Sequence, residues 1–163
     1  MIIYDQKKDY TCQQFAVFGI IGHNFGRYLP QKSVDKWIAK HKLKDNTKRG
    51  WLSSIEAAHV IAKQIGKKVV TFGFCDQDFM KYWNAKKAIH LSLKVGASFY
   101  RDTLDWDVDR YDHLRGESSS HAVYAFYPGI IVESFGDAIP PAKFDLEKFP
   151  EKWLTNKLCF TII

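Results

Sequence analysis

The chain lacks any run approaching the about 18 consecutive apolar residues that cross a bilayer, which excludes a helical membrane segment. Its amino terminus, Met1-Ile2-Ile3-Tyr4-Asp5-Gln6, lacks a basic region followed by a long apolar core and a small-residue cleavage site, so no secretory signal is expected. Cysteine is scarce. The three residues, at 12, 75 and 159, are an odd number without metal-ligand spacing, which argues against a disulfide framework and a zinc module. A reducing compartment such as the cytoplasm is the expected setting, whether in the producing cell or in a host infected by a virus that encodes the chain. There are no repeats or low-complexity tracts. No basic-aromatic motif of a known reader module occurs either, so nucleic acid is not expected as a partner.

Acidic side chains are few in the first part of the chain. Residues 1–100 hold 17 Lys/Arg against 7 Asp/Glu, and residues 101–163 hold 7 against 11. The excess includes Lys40, Lys42, Lys44, Lys48 and Arg49, in a polar stretch whose lysines read as solvated loop positions. A 46% hydrophobic and 15% aromatic composition is that of a globular protein. At 163 residues the chain should bury roughly 70% of its unfolded surface, and a single soluble domain over 1–163 is expected, its oligomeric state left open.

Thr11 to Arg27 reads as a buried helix, apolar nearly all round, with Cys12 in its first turn. A shorter helix is expected over Ser33 to His41. Ser53 and Glu56 have capping-box spacing and open a helix that Gly66 closes, with Ile55, Ala58, His59, Ala62 and Ile65 near its apolar face. Lys68 to Phe74 reads as a strand, Asp76 as the cap of a helix to about Lys86, and Ala88 to Val95 as a strand. The acidic stretch from Ser98 to Ser120 has no period. His121 to Tyr127 and Ile130 to Phe135 flank the turn signal Pro128-Gly129, Asp145 to Leu154 reads as a short helix, and Leu158 to Ile163 as a last strand. Helices first and strands later predict an α+β fold with antiparallel pairing.

A thiol attacks a carbonyl as thiolate, and lowering its pKa from about 8.5 takes a helix N-terminus and a neighbouring imidazolium. Cys12 has the first by position. The N–H groups there also face the place where an oxyanion would form, and Gln6, six residues upstream, can add an amide donor. Of the histidines at 23, 41, 59, 90, 113 and 121, His121 is best placed as base. It opens an apolar strand after Ser118-Ser119-Ser120, with its ring expected to face an open cleft. Glu133 is the charged residue of the strand after the turn and is a candidate to orient the ring. In a hairpin centred between 128 and 129, positions summing to about 257 face each other, which sets Glu133 near Tyr124.

The run from Gln6 through Cys12-Gln13-Gln14-Phe15-Ala16 resembles the papain-like pattern of a glutamine, five residues, the cysteine, then an aromatic-small pair. His121-Ala122-Val123-Tyr124 is similar to that superfamily's histidine strand, Glu133-Ser134-Phe135-Gly136 to its asparagine-serine-tryptophan-glycine motif, and Gly50-Trp51 loosely to a fourth element. The carboxyl end, Phe144 to Trp153 before a last strand, is similar to bacteriocin-leader (double-glycine) peptidase domains. The resemblance implies a papain-like fold with the catalytic helix packed against an antiparallel sheet. It also implies a thiol peptidase acting on a protein or peptide without a cofactor or metal, through Cys12, His121, Glu133 and Gln6. Glu133 departs from the family's asparagine or aspartate, so Ser134 and Asp137 stand as alternatives for orienting His121. Gln13 replaces a frequent tryptophan or glycine.

Two rivals follow. An amidase or isopeptidase of the same clan would use the same residues, and a catalytically inactive binding module would keep the fold alone. Cys75 and Cys159 are expected in the core, as is His59 on its helix's apolar face. Asp105, Asp107 and Asp109 alternate, but Arg110 stands where a calcium loop needs glycine and Gly116 where it needs glutamate. That segment is expected to flank the cleft and favour basic substrates.

Overall fold

The segment expected as the first helix folds as α1 (Cys12–Phe25), ended by Gly26 in the left-handed conformation at φ 66°. A computed structural model of the chain describes residues 1–6, 11–42, 52–95, 119–134, 141–149 and 151–163. The readings made above of Gly50-Trp51, of Asp105, Asp107 and Asp109, and of Gly136 and Asp137 lie outside the described residues.

Helix α2 (Gln31–Lys40) starts two residues before the expected Ser33, because extended Pro30 serves as its cap and accepts from the N–H groups of Ser33 and Val34. Lys40 is its last residue rather than part of a loop. Helix α3 (Ser54–Gln64) carries the expected capping box, Ser53 Oγ accepting from Glu56 N–H and the Glu56 carboxylate from Ser53 N–H. Its buried face is Ser54, Ala57, Ala58, Ile61 and Ala62, rotated by about one residue from the expected stripe. His59 is therefore exposed, a correction to its reading as a core histidine. Strand β1 (Val69–Gly73) and helix α4 (Gln77–Asn84) follow, the helix capped by Asp76 Oδ1 accepting from Phe79 N–H at 2.8 Å. Cys75 lies in the turn between them with φ 59° and is exposed, so it is no core residue, whereas Cys159 is fully buried as expected.

The remaining strands are β2 (Ile89–Val95), β3 (Ser119–Phe126), β4 (Ile130–Val132), β5 (Ala142–Lys143) and β6 (Leu154–Ile162). They join β1 in one sheet of order β1-β6-β2-β3-β4-β5, every neighbouring pair antiparallel. The fold is α+β, as expected. Strand β5 was not expected; it seats because Gly129, at φ 154°, has no side chain to meet the Phe144 carbonyl, and Gly129 O accepts from Phe144 N–H at 2.9 Å. The helix expected over Asp145 to Leu154 is instead two 3-10 turns, Leu146–Lys148 and Glu151–Trp153. A proline at 150 in the sequence has no N–H for a continuous α-helix.

Alternation along the strands divides two cores. On one face α1, α2 and α3 bury Phe15, Phe18, Ile20, Val34, Ile38 and Ile61 against Tyr124, Val132, Phe160 and Ile162. On the other, Phe79 and Trp83 of α4 pack with Phe149 on Ile89, Leu91, Leu93, Val123, Ala125 and Ile131. Among the described residues no helix is long and apolar enough to cross a membrane.

Candidate functional site

Cys12 is the first residue of α1, and small side chains bring that helix close to β3. Cys12, Ala16 and Ala122 form one buried cluster, and a Cβ at Gly19 would overlap the Tyr124 ring. Main-chain N–H groups in the first turn of a helix lack partners within the helix, and among the described residues Phe15 N–H, bonded to Thr11 O at 3.3 Å, is the first of α1 to find one. The turn carries no acidic side chain to compete with a thiolate, and Thr11 makes no side-chain cap bond there.

The base and its partner come from the β3–β4 hairpin. Its register pairs Tyr124 with Val132, Ala125 with Ile131 and Phe126 with Ile130, a sum of 256. Tyr124 thus faces Val132 rather than Glu133, one residue from the expected register, and β4 ends before Glu133 instead of running to Phe135. Glu133 nonetheless reaches His121: its carboxylate Oε2 pairs with His121 Nε2 in a buried ion pair. The His121 side chain is 7% exposed and that of Glu133 0%, so the ring does not face an open cleft. His121 is also hydrogen-bonded to Cys12.

These contacts set the protonation states. Burial alone would push the Cys12 thiol up, but the bond and positive charge of His121, with a main-chain bond from Ala122, hold it below its ordinary value against the opposing charge of Glu133. For His121 burial favours the neutral ring; the Glu133 charge and the bonds to Cys12 and Glu133 outweigh it and lift the group to about 10. Both shifts run in the direction that favours a thiolate beside an imidazolium. The other two cysteines contrast with it, since burial and nearby acids push Cys75 up and burial pushes Cys159 up to about 12.

Gln6 is fixed from the same strand end. Its main-chain N–H donates to Ser134 O at 2.8 Å, and its side-chain Oε1 accepts from Ser134 Oγ at 2.6 Å. With the oxygen engaged, the amide nitrogen is the end turned away from Ser134. The sequence left Ser134 as an alternative partner of His121; its hydroxyl instead bonds Gln6. Sequence reasoning missed the Ala122 main-chain donor, which has no side-chain signature. It also passed over His90, 5% exposed, stacked on Phe160 at 4.5 Å with neither ring nitrogen bonded, and close enough to His121 to feel its charge. A buried histidine on a strand gives no periodic signal that separates it from Thr or Val.

No protein-family model and no curated protein matches the sequence. Among solved structures, the fold is similar to the peptidase domain of ComA from Streptococcus, a bi-functional ABC transporter involved in a quorum-sensing pathway. The TM-score is 0.55 at 14% identity, over 99% of this chain and 96% of that one. The four helices and the six-stranded sheet of the described residues thus have the architecture that the short motifs implied, a papain-like fold shared with that peptidase domain.

Proposed function

We propose that the chain is a cysteine peptidase in which Cys12 is the nucleophile, His121 the general acid and base, Glu133 the group that orients and charges His121, and Gln6 an oxyanion donor. The observation that carries this reading is the continuous series from Cys12 through His121 to Glu133, buried, with the thiol pKa lowered and the imidazole pKa raised. The Cys12 thiolate attacks a peptide carbonyl carbon, and the oxygen takes the displaced electron pair beside the Cys12 N–H and the Gln6 amide. The tetrahedral species collapses as imidazolium His121 gives its proton to the leaving amine, leaving a thioester. Water, deprotonated by His121, then attacks the thioester carbonyl; the acid departs and the thiolate–imidazolium pair returns. The substrate is a protein or peptide, no cofactor takes part, and the thiolate calls for a reducing compartment. Glutamate, unlike the family's asparagine, supplies a full charge to the ring, as aspartate would.

Alkylation by iodoacetamide across pH 4 to 9, located by mass spectrometry, tests this. Cys12 should react well below pH 7 and lose that reactivity in His121→Ala, with exposed Cys75 and buried Cys159 as internal controls. Were Cys12 to react no faster than Cys75, the peptidase reading would fail and a binding module would be the better description.

A further inference from the structure

Away from Cys12, α1, α2 and α3 leave a groove of about 410 Å³ lined by Phe18, Ile21 and Phe25 of α1, Trp37 of α2, Ile61 of α3, Ile65 at its C-terminal end, and Leu29. Arg27, Gln64 and Lys67 complete its wall. The volume lies within the ~300–1,000 Å³ of sites for small ligands. Two of its apolar residues are open to water, Leu29 at 38% and Ile65 at 44% exposure. Such large apolar side chains, gathered on one patch, mark a binding surface more often than isolated ones do.

The chemistry of the wall is one-sided. No described lining residue is acidic, and both charged ones are cations. Lys67 Nζ stands 4.8 Å from the centre of the Phe25 ring, so the ends of α1 and α3 meet at the same end of the groove. The two helix C-termini there bring about half a negative charge each, which two full positive charges exceed. Uncharged polar groups are already committed. Gln64 Oε1 accepts from Trp37 Nε1 at 2.9 Å, and Gln64 Nε2 lies 3.4 Å from His41 Nε2. The groove therefore has little to offer a peptide backbone, which needs partners for its N–H and C=O groups. It suits an occupant whose body has no polar atoms and whose head is an anion.

From this we infer that the groove binds a single-chain fatty carboxylate, the aliphatic chain lying along Phe18, Ile21 and Trp37 and the carboxylate between Arg27 and Lys67. The inference is independent of peptidase activity. Titration calorimetry on the full chain, with each amphiphile below its micellar concentration, compares laurate with two probes of the same chain length: dodecyl maltoside, with a neutral head, and dodecyltrimethylammonium, with a cationic one. Laurate is expected to saturate at one equivalent, to bind at least tenfold more tightly than either comparison probe, and to lose at least tenfold affinity in R27Q/K67Q. Ile65→Asp, at an exposed position, should abolish binding. If the neutral or cationic probe binds as well as laurate, or if laurate does not bind while an acidic amphipathic peptide does, the inference is overturned. Should R27Q/K67Q lose its circular dichroism spectrum, the comparison of head groups on the unsubstituted chain decides.

Discussion

Ser134 holds Gln6 by both of its oxygens, the hydroxyl donating to Gln6 Oε1 at 2.6 Å and the carbonyl accepting from Gln6 N–H at 2.8 Å. Ser134→Ala removes only the first bond. A neutral hydrogen bond is worth about 1 kcal/mol, so kcat/KM on a peptide substrate should fall about fivefold. Gln6→Ala should cost about 10²–10³ in kcat, and in that background Ser134→Ala should cost nothing further. The alkylation profile of Cys12 should be unchanged in both variants. If Ser134→Ala slows turnover equally with and without Gln6, its effect does not run through the amide.

Glu133→Gln keeps the size of the side chain and removes its charge. That charge counters the cost of burial and lifts His121 to about 10, so the imidazolium of the variant should lose its proton at lower pH. In the proposed mechanism activity needs the imidazolium, and the alkaline limb of the pH–kcat/KM profile should therefore move down. At pH 9 the loss should be roughly tenfold or more. An alkaline limb that stays in place would separate Glu133 from the base.

Stability should carry the mark of His90. Burial, with the charge of His121, lowers its pKa to about 3, so the folded protein keeps it neutral where the unfolded chain protonates it near 6.5. Below pH 6.5 the unfolded state binds the extra proton, and stability should fall as pH drops toward 3, by up to about 1.4 kcal/mol per pH unit. Urea unfolding of His90→Leu should have a flatter slope in that window than the wild type. Parallel slopes would mean that the ring titrates alike in both states.

Gly19→Ala puts a methyl group where the Tyr124 ring lies. Overpacking of this kind costs about 1–3 kcal/mol, and here it pushes α1 off β3. Chemical denaturation should register the loss, and Cys12 alkylation at pH 6 should slow because the sulfur moves relative to His121. Unaltered reactivity beside reduced stability would show that the helix N-terminus is held independently of its middle.

Features carried by neighbouring residues were legible in the sequence. The Ser53/Glu56 box, the Asp76 cap and the apolar run of α1 each act within one or two turns, and the structure has all three. Where tertiary packing decides, reading the sequence failed. A buried stripe turned by one residue exposes His59, and a two-residue strand such as β5 exists only through its pairing with β4. Cys12, His121, Glu133 and Gln6 could be named from motif order, since each is a side chain of distinctive chemistry. The bond between Ser134 and Gln6 spans 128 positions and involves an ordinary hydroxyl, so nothing local announces it.

His121 and Glu133 are twelve residues apart and joined by one hairpin, whereas Cys12 reaches them only when α1 docks on β3. Closing that long loop is costly, and non-local contacts of this kind form late relative to a hairpin. A nascent or partly unfolded chain therefore holds the His121–Glu133 pair without Cys12 beside it, and a cysteine whose thiol is no more acidic than any other. In the proposed mechanism reactivity therefore switches on with completion of the fold, and a chain of that kind is latent during its own synthesis and disarmed wherever it unfolds.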